Sequence, residues 1–564
     1  MTDTPSPSAS PSPPPSTPPP PSRSRAEAGG PEFAPGALRD PWRRPPAGRP
    51  ETWFTRISPK APGPVPTATL WGVLATALLS ALLFGEGLGL NLILVAIPAT
   101  LAAYAAARAA GRRARPWTLV WGVGGLALLT IPALRDAGWP TFLALLGAVG
   151  LASLALHGGR TWRAVVFGPI GLFESVGSGI GWGLRGVRGL LDGSRGRAGV
   201  VLRTTAVAVG LLVVFGALFA GADAAFADLL GALMPDVDSV ADGPARVAFF
   251  SLGLLGALAA ARTAAAPLRW DRLEPRPGRP RGRMEWALPL IVLNLLFAAF
   301  NAVQLAVLFG GYEKVLSETG LTYAEYARQG FWQLLWATLL TLAVIGLALR
   351  WAPRGGARDR NLVRAVLGTL CLLTLVVVAS ALRRMDLYVD AYGLTRLRIS
   401  VAAMELWLGL VIVLIMAAGV LGARLLPLPR AVAASAAAGV LAFGLMSPDA
   451  RVAEQNVQRY ERTQKIDIGY LDGLSADAVP ALDRLPEPLR SCALRNIAAD
   501  LAEWEMPWYA TSWGEHRARE ILAERGISTD GYVCTPGDGR YGGADPYDSR
   551  DPFDSSEPYV PQGG

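Results

Sequence analysis

The stretch Leu288–Gly310, LPLIVLNLLFAAFNAVQLAVLFG, decides the fold class. It carries no charged side chain, and as a helix rising 1.5 Å per residue it is long enough to cross a hydrocarbon core of ~30 Å. Similar runs recur along the chain. Spans are expected near 67–84, 89–108, 117–134, 138–157, 199–221, 245–263, 284–308, 329–349, 361–382, 399–422 and 428–447. All must be helical, because backbone facing lipid has to satisfy its own hydrogen bonds. The fold class expected is therefore all-α: a polytopic transmembrane bundle across 67–447, with about 11 helices.

Composition agrees. The 564 residues are 51% hydrophobic and only 17% charged, where a soluble protein carries about a quarter. Mean hydropathy is +0.32. The net charge of +8 comes from arginine, since the lysines are Lys60, Lys314 and Lys465 alone. Arginine, Ala, Gly and Pro together suggest a GC-rich bacterial source. These basic residues lie between apolar runs, which argues for placement by the positive-inside rule and against nucleic acid as a partner. Connectors 109–116, 158–198, 268–283 and 350–360 are arginine-rich, whereas those around 222–244 and 311–327 are acidic. The alternation puts the N-terminus in the cytoplasm and, with an odd number of spans, the C-terminus outside. The lipid bilayer is the partner this composition requires. Within 158–198, the glycine-rich segment near 165–192 is broken by Glu174, Arg185 and Arg188, so it is expected to lie along the interface.

The flanks differ from the bundle. Residues 1–66 are Pro- and Ser-rich, with no apolar h-region, and read as a disordered cytoplasmic tail. Residues 448–536 are polar, with apolar positions every three or four, as in a small extracytoplasmic helical domain. Residues 537–564 read as a disordered acidic tail. Two histidines, His157 and His516, and three cysteines leave little material for a metal site, and no Cys-x-x-Cys or His-x-x-x-His spacing occurs, so no metal and no cofactor is expected. Outside the cytoplasm Cys492 and Cys534 can form a disulfide worth roughly 3–5 kcal/mol; the alternative is two thiols that never meet. Cys371 reads as a packing residue.

Two polar constellations stand out. Asn294, Asn301 and Gln304 fall on one side of a single span; they can hydrogen-bond a neighbouring helix or line a pathway. The second surrounds Asp386–Ser400, DLYVDAYGLTRLRIS. It comprises Arg383, Arg384, Asp386, Asp390, Tyr392, Gly393, Thr395, Arg396 and Arg398, with Glu405 further along. Gly393 suits a turn and Thr395 the N-cap of the next helix. The span count puts these arginines on the outer side, against the charge rule. Either the count is off by one, or they serve a contact with acidic loops or anionic lipid headgroups. Arg398 and Glu405, seven apart, share a helix face; Arg398 can reach towards Glu405, as a packing pair or a functional one, or snorkel outwards.

The segment YVDAYGLTRLRI, ahead of KIDIGYLDGLSADAVPALDRL, resembles a family of bacterial multi-pass membrane proteins of the domain of unknown function 4173 type. The shared element is Tyr-Gly-Leu-Thr-x-x-Arg, here Tyr392, Gly393, Leu394, Thr395 and Arg398. The resemblance implies architecture and no activity, and no catalytic residue comes with it. Three readings follow: a non-enzymatic sensor, regulator or assembly partner among other envelope proteins of the cell membrane; a transporter or lipid-handling protein; or a membrane-embedded transferase or hydrolase using Asp386, Asp390 and Glu405.

Overall fold

The computed structural model describes residues 57–59, 61–193, 243–273, 279–310, 331–353, 355–422, 427–503 and 506–528, with isolated positions in 204–219. Among the described residues every regular element is helical. The bundle helices are α1 (Thr67–Leu83), α2 (Asn91–Ala109), α3 (Pro116–Leu128), the short α4 (Ile131–Leu134), α5 (Gly138–His157), α6 (Trp162–Gly193) and α7 (Gly243–Ala265). They continue as α8 (Arg283–Gly310), α9 (Phe331–Trp351), α10 (Ala357–Tyr392), α11 (Arg396–Leu421) and α12 (Leu428–Met446). Ten helices in this set are long and apolar enough to cross a membrane, counting α3 with α4 as one. Their lengths follow from the bilayer, which demands about 20 apolar residues per crossing. The set differs from the one expected: α1, at 17 residues, is shorter, α6 joins, and the run at 199–221 lies almost wholly outside the described residues.

Small residues bring the first group together. α1, α2, α6 and α7 pack around Val73, Ala102, Ala106, Ala257 and Ala261. Gly253 lies against Ser80 so closely that a Cβ there has no room. α3, α5 and α12 share Trp121, Leu128, Ala144 and Leu151. α8 to α11 form the second group around Trp286, Ile345, Leu370 and Ile412.

The two ends of the bundle are chemically distinct. At one end, Arg112 donates to the carbonyls of Leu156 and Ala264, and Arg430 donates to those of Gly158 and Gly159. Arg283 binds Asp359 at 2.5 Å. α2, α5, α7 and α9 all end here, so arginine also satisfies the orphan carbonyls and negative dipoles of helix C-termini. α6 follows this end. Between Gly171 and Gly186 it advances about 22 Å, yet its close contacts on α7 fall within Leu258–Ala265. Gly171 meets His157, Gly186 meets Val65, and Trp182 donates to the Gly63 carbonyl at 2.8 Å. That course runs across the bundle rather than along it, although length and composition alone would let α6 span.

The opposite end carries a helical domain: α13 (Pro448–Thr463), α14 (Ile468–Leu471), a 3-10 turn (Ala476–Ala478), α15 (Val479–Leu482), α16 (Leu489–Glu503) and α17 (Trp513–Glu524). α10 reaches it because 36 residues rise about 54 Å, well beyond one bilayer core. Its last turns are a post. Ala381, Met385 and Val389 join one continuous core with Val452, Val457, Leu471, Leu482 and Leu494 of the domain. Asp386–Tyr392 are thus helix, and the turn begins only at Gly393.

Candidate functional site: the clamp between bundle and domain

Gly393 ends α10 with φ +85°, in the left-handed region open to glycine. A Cβ there would also collide with the Asn456 side chain. Two residues on, the Thr395 hydroxyl accepts from the Arg398 amide at 3.3 Å and caps α11. Both local expectations from the sequence describe this turn correctly, because they depend only on neighbouring residues.

The turn is gripped by the domain. Arg396 donates to both oxygens of Asp449, Nε to Oδ1 at 2.7 Å and Nη2 to Oδ2 at 2.5 Å. Asp449 is buried in the first turn of α13 and also accepts from the Ser475 amide at 2.9 Å. The Arg396 amide donates to the Tyr470 hydroxyl at 2.7 Å. Asn456 donates to the Leu394 carbonyl at 2.8 Å, and Arg459 to that of Ala391 at 2.6 Å.

Arg398 and Glu405 do not pair. Arg398 is buried, donates to the Gly393 carbonyl at 2.7 Å, and holds its guanidinium 4.2 Å over the Tyr388 ring. Helical side chains lean toward the N-terminus, which carries Arg398 back into the turn and away from Glu405. Glu405, fully buried, instead accepts from Thr338 of α9 at 3.1 Å.

The remaining candidates separate. Asn294 and Asn301 donate to the carbonyls of Val366 and Leu373 at 3.0 and 2.9 Å, two rungs of equal spacing that zip α8 to α10. Gln304 accepts from Arg384 at 3.1 Å, which extends the same seam. Arg383, Asp386 and Asp390 are exposed on the post, and Tyr392 stacks edge-on against Tyr388. Cys371 is a free, buried thiol. Cys492 is disulfide-bonded, and Cys534 lies outside the described residues.

A second joint escaped the sequence reading. Asp136, between α4 and α5, accepts from the Ala476 amide at 2.9 Å, and Ser447 donates to Asp477 at 2.5 Å. Gly514 presses on the Asp477 carboxylate so closely that no side chain fits there. Burial raises the pKa of Asp136 and Glu515, and pushes Asp477 up to about 6. Asp136, Asp500, Glu515 and Arg519 border a pocket of about 190 Å³. Asp449 could have been singled out as an acid in the first turn after Pro448. Asp136 gives no local signal, because its partner is 340 positions away.

Arg396→Ala should lower the unfolding stability of the full chain by about 2 kcal/mol, between the values for exposed and buried pairs, since half of the arginine stays accessible. Denaturant titration in detergent measures it, and Asp449→Asn should cost less when combined with Arg396→Ala than alone.

Comparison with curated proteins and with solved structures returns no match. A family model does match, over residues 122–485, which is more than half of the chain. The matched unit runs from α3 through the bundle and the clamp to the residues just after α15, so it includes the docked half of the domain. Its number differs from that of the 4173 type which the Tyr-Gly-Leu-Thr-x-x-Arg element resembles. This multi-pass helical chain belongs to the family described as a domain of unknown function, DUF4153.

Proposed function

We propose that the protein is a non-enzymatic regulator or assembly partner of the bacterial cell envelope, holding its helical domain rigidly at the outer face of the membrane. The observation that carries this reading is the clamp. The Arg396–Asp449 pair, the Tyr470, Asn456 and Arg459 bonds and the continuous core along α10 join domain and bundle into one body. The chemistry of the most identifying segment is therefore used to fix a surface in place. The orientation proposed puts the arginine-rich end and the N-terminus in the cytoplasm, with α6 along the inner interface and the domain outside. The disulfide of Cys492, with Cys534 as its proposed partner, suits that side.

The competing transporter reading rests on Glu405, an ionisable group within the hydrocarbon layer. The full chain in liposomes, with a potassium-diffusion potential and an internal pH dye, separates the two. The expected result is a proton leak equal to that of empty vesicles, for wild type and Glu405→Gln alike. A protein-dependent flux that Glu405→Gln abolishes would overturn the proposal.

A further inference from the structure

A cleft of about 800 Å³ opens between α5, α11 and α12 and is closed by the domain at Asp449 and Ser475. Its size falls in the upper part of the range for small-molecule sites. One face of α11 forms its wall: Arg396, Ser400, Met404 and Trp407 follow one another at helical spacing. From Arg396 to Trp407 that face descends about 16 Å, roughly one leaflet of a ~30 Å hydrocarbon core. Val440 and Phe443 of α12 line the other side, and Trp139 and Met404 at the flank are each about half exposed.

Polarity is confined to the end beneath the domain. The Asp449 carboxylate orients Arg396 through Nε and Nη2. This leaves Nη1, which bonds no described residue, to meet an acceptor in the cleft. Ser475 lines the same end, and its buried hydroxyl has no hydrogen-bond partner among the described residues; Ser400 also lines the cleft. A guanidinium flanked by hydroxyls is suited to phosphate oxygens. The apolar walls below it suit acyl chains and reject a water-soluble phosphate compound.

We propose that this cleft holds a phosphate-headed lipid from the leaflet beside the helical domain, its headgroup on Arg396 and Ser475 and its chains between α5, α11 and α12. The bound lipid forms part of the wall between bundle and domain. This inference does not depend on whether the protein regulates or transports.

Gly439 provides a block that spares the fold. A side chain added there meets open space, with the Trp407 ring 4.0 Å away, so Gly439→Leu extends into the cleft. The change also improves helix propensity. Ala436→Leu, one turn deeper, is a second block. The full chain would be reconstituted in phosphatidylglycerol nanodiscs and released into native mass spectrometry. The wild type should retain one phospholipid per chain. Each leucine variant should lose that species roughly tenfold or more at unchanged melting temperature, and Ser475→Ala should weaken it. Diacylglycerol, with the same chains and no phosphate, should not be retained. Equal retention by wild type and both leucine variants would reduce the lipid to a surface annulus and end the proposal. Equal retention of diacylglycerol would end the assignment of the headgroup.

Discussion

Arg490→Ala should unfold the C-terminal domain, with a loss of about 4 kcal/mol. Arg490 is fully buried at the start of α16. It donates from Nε to Asp483 at 2.7 Å, from Nη1 to Glu487 at 3.4 Å and to the Gly526 carbonyl at 3.0 Å, and from Nη2 to the Arg525 carbonyl at 2.6 Å. One side chain thus ties the entrance of α16 to the end of α17. Truncation takes the Arg490 donor from Asp483 and from the Gly526 and Arg525 carbonyls, leaves Glu487 with only Ser491 and Arg525 among the described residues, and opens a cavity the size of the removed side chain. Lysine cannot reproduce the fork, so Arg490→Lys should recover only a minor part. The measurement is limited proteolysis of the full chain in detergent, with mapped cleavage sites. Cuts within 448–528 should appear in Arg490→Ala while the bundle stays intact; an uncut domain would contradict the role given to Arg490.

Asp477→Asn should stabilise the protein at pH 7.5, by about 3 kcal/mol at most. Burial raises the Asp477 pKa from its ordinary 3.8 to about 6, against the pull of the Ser447 hydroxyl, Arg135 and the Asp136 backbone amide, with a smaller upward push from the Asp136 charge. The folded state therefore binds the proton more tightly than the unfolded chain does. Stability from this group is complete below pH 4 and is lost as the pH rises through about 6. Asparagine carries no charge at any pH and keeps an acceptor for Ser447. Melting temperatures of wild type and variant should converge at pH 4 and separate by pH 7, with the variant higher. Asp136 and Glu515, both raised by burial at the same joint, give the wild type a slope of the same sign. A parallel pair of melting curves would show that Asp477 ionises freely in the folded protein.

Local rules explain which parts of the site were legible. Gly393 and Thr395 were identifiable because a left-handed turn and an N-cap are properties of a few consecutive residues. The seam of Asn294 and Asn301 was legible as a face, through the helical period. Arg398 and Glu405 share that kind of face, yet spacing does not encode the direction in which a side chain leans, so the pairing inferred from it fails. The charge of Arg396 is evident in the sequence, but its partner Asp449 lies 53 residues away and across an element boundary. Charged residues after an apolar run also suggest a connector beyond residue 382, whereas α10 continues to Tyr392 because the domain covers one side of it.

Sequence alone determined the helical class, the approximate spans and the chemical contrast between the two ends of the bundle. Each follows from a one-dimensional constraint, namely the thickness of hydrocarbon, the hydrogen bonds of its backbone and the cost of charge within it. Only the tertiary structure decided that the domain packs along the last turns of α10, that Arg396 clamps Asp449, and that a cleft one leaflet deep opens beside that clamp. These depend on which distant surfaces meet, and packing settles that through contacts that no local period or composition records.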